Sequence, residues 1–128
     1  MRFITLVKSA ESFRAGPPPK ALMDAIGKLG EEATKEGVLV DMGGLSPSNT
    51  GARIRLAKGK LTLTDGPFAE AKEVIGGYAI FELKSRKEAI ERAMKFMELH
   101  QRHWKGWEGE TEVRQLMGPA DFGPRALP

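Results

Sequence analysis

The sequence contains no cysteine, which excludes disulfides, thiolate catalysis and Cys-based zinc sites and suits a reducing, cytoplasmic setting. It has one tyrosine, two tryptophans and only two histidines, His100 and His103, so imidazole chemistry near neutral pH has two positions to draw on. No apolar run approaches the ~20 residues that a membrane-spanning helix needs. The closest approach to a secretion signal, Phe3 to Val7, is interrupted by Thr5 and followed by Lys8, so neither membrane insertion nor export is expected. A strong excess of one charge is missing too. Twenty Lys and Arg face seventeen Asp and Glu, a formal charge of +3, and this many carboxylates argue against nucleic acid as a partner because they repel phosphates.

What is present is the composition of an ordinary globular domain, 41% hydrophobic and 29% charged over 128 residues, enough chain for one real core. Residues 1–117 carry periodic patterns, and residues 118–128, rich in proline and glycine, read as a C-terminal tail. Arg2 to Lys8 is rich in β-formers and predicts a first strand. Gly16-Pro17-Pro18-Pro19 then forces an extended loop. Leu22, Ala25, Ile26, Leu29 and Ala33 recur at helical spacing, and the helix should close near Gly37. Gly27 and Gly30 interrupt it, either for close packing on a sheet or as tolerated weak points.

Val38 to Met42 predicts a strand ended by Gly43-Gly44. Arg53 to Leu56 and Lys60 to Thr64 predict a hairpin turning at Lys58-Gly59, and Gly77 to Leu83 a further strand. Ser85 and Glu88 form a capping-box pattern ahead of a second helix with the stripe Ile90, Ala93, Met94, Met97, Gln101 and Trp104. Glu112 to Met117 predicts a last strand. This order suits an α+β, ferredoxin-like antiparallel sheet with two helices on one face. In the first strand Ile4 and Leu6 oppose Phe3 and Val7; in the penultimate one Tyr78 and Ile80 oppose Ala79, Phe81 and Leu83. Both sheet faces are therefore apolar, and the face without helices is expected to meet a second copy, giving a homodimer.

The densest unusual stretch runs from Thr64-Asp65-Gly66-Pro67-Phe68 to Gly76-Gly77-Tyr78. Asp65 can accept backbone N–H groups, Gly66 can adopt backbone shapes others resist, and Pro67 fixes φ, so the segment makes a rigid corner. It resembles the signature of the DGPF branch of the YCII-related family. The opening Met1-Arg2-Phe3, the run Gly37-Val38-Leu39-Val40 and the segment from Leu99 to Gly109 resemble that branch as well. The resemblance implies a ferredoxin-like fold dimerising into an α+β barrel, a frequent genomic association with alternative sigma factors, and roles that are mostly unassigned. A related branch includes an enzyme that eliminates chloride from a hydroxylated aromatic ring and is associated with a His in the first helix paired to an Asp. Residues 18–36 contain no His, so that dyad does not carry over.

Several side chains are candidates for chemistry. His100 and His103 lie one helical turn apart, a spacing that lets two imidazoles face one ligand. Zinc would require Asp65, Glu70 or Glu73 to complete its set of about four ligands, and neither metal nor cofactor is expected. Trp104 and Trp107 offer flat surfaces for a ligand or a core. Arg53 and Arg55 share a strand face, where they can draw in a carboxylate or phosphate or form a solvated edge. Glu70 and Glu73, near Lys72, read as a salt-bridged surface. The reading taken forward is a small-molecule cleft at the dimer, lined by Tyr78, His103, Trp104 and Arg55, with Asp65 and His100 as a catalytic pair. In that pair Asp65 is the base or orients His100, and its charge raises the His100 pKa. The rival reading is a non-enzymatic regulatory protein engaging a transcription partner.

Overall fold

Strand β1 (Arg2–Ser9) is the centre of the structure, a computed structural model that describes residues 1–11, 17–69 and 71–122. Its alternation decides which face is which. Phe3, Thr5 and Ser9 are buried while Ile4 and Leu6 are only half-buried, so the odd positions lie under the helices. The sheet has the order β2-β5-β1-β6, formed by β2 (Leu39–Gly44), β5 (Val74–Glu82), β1 and β6 (Gly109–Gln115), and every neighbour is antiparallel. Thr5 sits opposite Ala79 on one side and Val113 on the other. The architecture is α+β with an antiparallel sheet, compatible with the ferredoxin-like expectation.

Helix α1 (Lys20–Lys35) begins directly after Pro19 and buries Leu22 and Ala33, both on the expected stripe. Gly37, at φ 75°, reverses the chain after it. The two helical glycines part company. A methyl group on Gly30 would approach the Met42 sulfur at 3.1 Å, a close helix-to-sheet contact, whereas one on Gly27 would meet nothing within 4 Å.

Helix α2 (Arg86–His103) is capped as expected: Ser85 accepts from the Glu88 N–H at 3.2 Å, and the Glu88 carboxylate accepts from the Lys84 N–H. Its inward face differs from expectation. Ala89, Ala93 and His100 are buried, whereas Met94 and Gln101 are exposed. The true stripe is Ala89, Ala93, Phe96 and His100, spaced 4, 3 and 4, which places His100 on the buried face. Small alanines let α1 and α2 approach, and the methionines that suggested the other stripe are partly solvent-facing.

Gly43 and Gly44 do not end β2 but belong to it, paired with Tyr78 and Gly77. A Cβ at Gly43 would stand 3.0 Å from the Tyr78 ring, so the bare backbone there is what lets the tyrosine lie across the sheet. The hairpin is present, with β3 (Ala52–Ala57) and β4 (Lys60–Asp65) joined at Lys58 and Gly59, both at positive φ. It forms a two-stranded sheet of its own. The expected tail opens with a short helix α3 (Pro119–Phe122), and residues 123–128, like Glu70, lie outside the described residues. Among the described residues no helix is long and apolar enough to cross a membrane.

The packed core is small and sits at one end of the sheet, where Phe3, Leu83 and Ala89 gather with Val38, Phe81 and Val113. Towards the other end the layers do not close.

Candidate functional site

Between the helices and the sheet lies a cavity of roughly 830 Å³, within the ~300–1,000 Å³ typical of ligand pockets. Its floor is the helix-facing side of the sheet, including Thr5, Val7 and Ala79; its roof includes Leu22, Ile26 and Leu29 of α1 and Ala93 and Phe96 of α2. The space exists because the floor is built of small residues. Gly77 and Ala79 stand opposite Val7 and Thr5 at the centre of the sheet, where large side chains would otherwise meet the helices.

Aromatic rings form the end of the cavity near the α2 terminus. The His100 ring lies between Phe96 and Trp107, with centroids 4.6 and 4.5 Å away, and Trp107 stacks with Trp104 at 6.0 Å and 21°. Trp107 also packs so tightly against the start of β6 that a Cβ on Gly109 would fall 2.3 Å from its ring. His100 Nδ1 lies 3.0 Å from the Phe96 carbonyl oxygen. A carbonyl only accepts, so Nδ1 carries the hydrogen and Nε2 of the neutral ring is an acceptor. Burial pushes the His100 pKa below its ordinary 6.5, partly offset by the bond to Phe96. The Oγ1 of Thr111, on the cavity wall, is enclosed and has no hydrogen-bond partner among the described residues.

Comparison with known proteins bears on what kind of chain builds such a cavity. The model of the YCII-related domain matches residues 1–103, from β1 through the end of α2. The chain belongs to the YCII-related family. None of the curated proteins compared with it matches.

In this YCII-related chain the expected site residues divide into two groups. His100, Trp104 and Tyr78 border the cavity. Tyr78 does so from β5, while its side chain alternates to the other face; its hydroxyl donates to Asp41 at 2.8 Å, which holds its pKa above the ordinary value. His103 is half-buried and lies outside the lining, so the two histidines do not face one space. Arg55 and Asp65 are on the exposed hairpin, also outside the lining. Among the described residues His100 interacts with Phe96 and Trp107 and with no carboxylate, and burial lowers its pKa where a nearby Asp65 charge was expected to raise it. Among the described residues no three of His, Cys, Asp and Glu gather as metal ligands.

The corner at Asp65-Gly66-Pro67 has a structural use. Gly66 N–H donates to the Gly51 carbonyl at 2.8 Å, the Phe68 N–H donates to Ser48 Oγ at 2.9 Å, and the Ser48 hydroxyl and N–H are held by Glu11. The Arg53 guanidinium covers the Phe68 ring at 3.9 Å. The corner thus ties the root of the hairpin to the chain that follows β1. Sequence reasoning missed Thr111 and the Thr5-Val7-Ala79 floor. The spacing Ala89, Ala93, Phe96, His100 was the one available signal for the roof.

The buried His100 implies a pH effect on stability. Because its folded pKa lies below the unfolded value of 6.5, the unfolded state binds the proton more tightly. The His100 contribution is therefore complete above about pH 6.5 and lost as pH falls from there through the folded pKa. Glu82, held down by the Met1 amino group and Arg2, and Glu112, held down by Lys8 and Arg114, act only below about 4.5. Melting temperature is expected to drop between pH 7 and 5 in the wild type and to stay flatter in His100→Phe. Equal slopes would assign the acid loss to other groups.

Proposed function

We propose that this protein binds a small, largely apolar molecule in the cavity between its helices and its sheet. The observation that carries the reading is an uncollapsed space of roughly 830 Å³ with aliphatic and aromatic walls and the His100 imidazole among them. An unfilled void of that size forfeits dispersion contacts on every side, a cost that a ligand removes. His100 and Trp104 serve as site residues. His103, Arg55 and Asp65 lie outside the lining, and Tyr78 borders it with its hydroxyl on Asp41, so this reading gives the four no part; binding alone accounts for the site without an acid–base step. Both tryptophans of the chain line the cavity, so their fluorescence reports on it directly. Titration with the uncharged dye N-phenyl-1-naphthylamine should quench them saturably at one dye per chain. The absence of saturable quenching would remove the proposal.

The protein is further proposed to act as a homodimer. The sheet face away from the helices has Ile4, Leu6 and Ile80 at its centre, flanked by the ion pairs Arg2–Glu82, Lys8–Glu112 and Arg114–Glu112. An apolar centre with a charged rim is the anatomy of an interface. Light scattering at micromolar concentration is expected to give twice the chain mass of 14.0 kDa, and Ile80→Asp a monomer. A monomeric wild type would overturn the dimer.

A regulatory or interaction role draws on a separate observation. The hairpin presents Ile54, Leu56, Leu61 and Leu63 on one face, each at least 65% exposed. Such a two-stranded sheet is marginal in water when left bare. Wild-type dimers that persist in Leu56→Lys would leave this face free for another partner, as the regulatory reading requires; dimers lost in that variant would assign the face to the second copy.

A further inference from the structure

The register of the hairpin sorts its side chains by character. Ile54 stands opposite Leu63 and Leu56 opposite Leu61, so these four share one face, while Arg53 with Thr64, Arg55 with Thr62 and Ala57 with Lys60 occupy the other. The four aliphatic residues are the most exposed large hydrophobics among the described residues, from 65% at Leu63 to 75% at Ile54. From Ala52 to Thr64 the sequence has four cations, Arg53, Arg55, Lys58 and Lys60, and no carboxylate. A contiguous aliphatic face of this kind marks a contact surface, and two observations point to what covers it.

The first is area. A stable dimer buries about 800 Å² on each partner, roughly two thirds of it apolar in a homodimer. Ile4, Leu6 and Ile80, at the centre of the sheet face, are already half-buried within one chain and fall short of that. Exposed aliphatic surface continues at one end of the face, where Ile75 stands opposite Lys8. The hairpin is rooted at the same end: Ser48, four residues before β3, is held by Glu11, two residues beyond the end of β1, and Gly66 N–H donates to the Gly51 carbonyl. Its aliphatic face supplies the apolar part that the sheet face lacks. The second observation is charge. The chain has a formal charge of +3 and the hairpin holds +4 of it, which leaves −1 on the rest. A second copy therefore offers a cationic hairpin a net negative body. Resting on the dimer reading, we infer that the aliphatic face of the hairpin is covered by a second copy of this chain, so that each hairpin is an arm of the dimer.

The chain has no cysteine, so one introduced thiol reports one position. Ile54→Cys puts it on the aliphatic face and Thr62→Cys on the opposite face of the same hairpin. At a concentration where light scattering gives the dimer, alkylation by iodoacetamide is expected to be at least about tenfold slower in Ile54→Cys than in Thr62→Cys, and dilution to monomer should abolish the difference. Leu63→Lys, with a circular-dichroism spectrum like that of the wild type, should raise the dimer dissociation constant at least about tenfold, and Thr62→Lys less than about threefold. Equal alkylation rates in the dimer, or equal effects of the two lysines, would overturn this inference, leave the sheet-face dimer standing and return the aliphatic face to the regulatory reading. Slow alkylation that persists in the monomer would overturn it as well, by assigning the cover to the chain's own residues. A wild type that stays monomeric at every concentration would overturn the dimer reading itself, and this inference with it.

Discussion

Gly66→Ala is expected to destabilise the protein by about 3 kcal/mol or more, lowering its melting temperature by roughly 10 °C for a domain of this size. The cause is contact, not backbone handedness. Among the described glycines positive φ occurs at Gly37, Gly59 and Gly106, not at Gly66. A Cβ at Gly66 would instead stand 1.6 Å from the Ser48 carbonyl oxygen, 2.6 Å from its carbon and 3.2 Å from Asn49 Cα. Backbone cannot swing aside as a side chain tip can, and Ser48 is itself fixed by Glu11 and the Phe68 N–H. Gly27→Ala is the matched control: nothing lies within 4 Å of its Cβ position, and alanine in a helix interior should stabilise by about 0.5–1 kcal/mol. Thermal melts of the two variants should move in opposite directions. A Gly66→Ala protein that melts like the wild type would show that the corner can open without loss.

Ala79→Phe should abolish most ligand binding, weakening N-phenyl-1-naphthylamine about 100-fold, roughly 2.8 kcal/mol, with little loss of thermal stability. Ala79 lies on the floor of the cavity, between Thr5 of β1 and Met42 of β2, and is only half-buried because the space above it is empty. A phenyl ring there occupies the volume that a ligand needs. In a filled core the same change would cost about 1–3 kcal/mol of overpacking; above a void it adds apolar contacts instead. Retained affinity with a normal melt would move the binding site elsewhere, with the bare aliphatic face of the hairpin the next place to look.

Local chemistry made much of the fold legible in advance. The β-rich opening, the proline run before α1, Gly37 after it, the Ser85 cap with Glu88 and the Lys58-Gly59 turn each act within a few residues, so each left a mark in the order of the chain. The periodicity of α2 was legible as a helix but not as an orientation. Met94 and Met97 suggested one stripe, and the choice between it and Ala89-Ala93-Phe96-His100 depends on which face α1 can approach, which is a property of the packed pair. The Asp65-Gly66-Pro67 corner was conspicuous for its composition. Its position on an exposed hairpin, outside the cavity lining, follows from a long insertion between β2 and β5 whose direction no local rule specifies.

The sequence by itself determined the class of the protein: an α+β chain of the YCII-related family without thiol chemistry, with two apolar sheet faces and only two tryptophans and two histidines for a site. Tertiary structure alone decided where that site lies. Strand pairing aligned Gly77 and Ala79 with Val7 and Thr5 beneath the helices, and small residues that are unremarkable one by one became the floor of a cavity once they were brought together. It also decided what His100 is. Residue type made it a candidate base beside a distant carboxylate; enclosure between Phe96 and Trp107 made it a neutral acceptor in an apolar wall, because desolvation depends on what surrounds a side chain and not on its place in the chain.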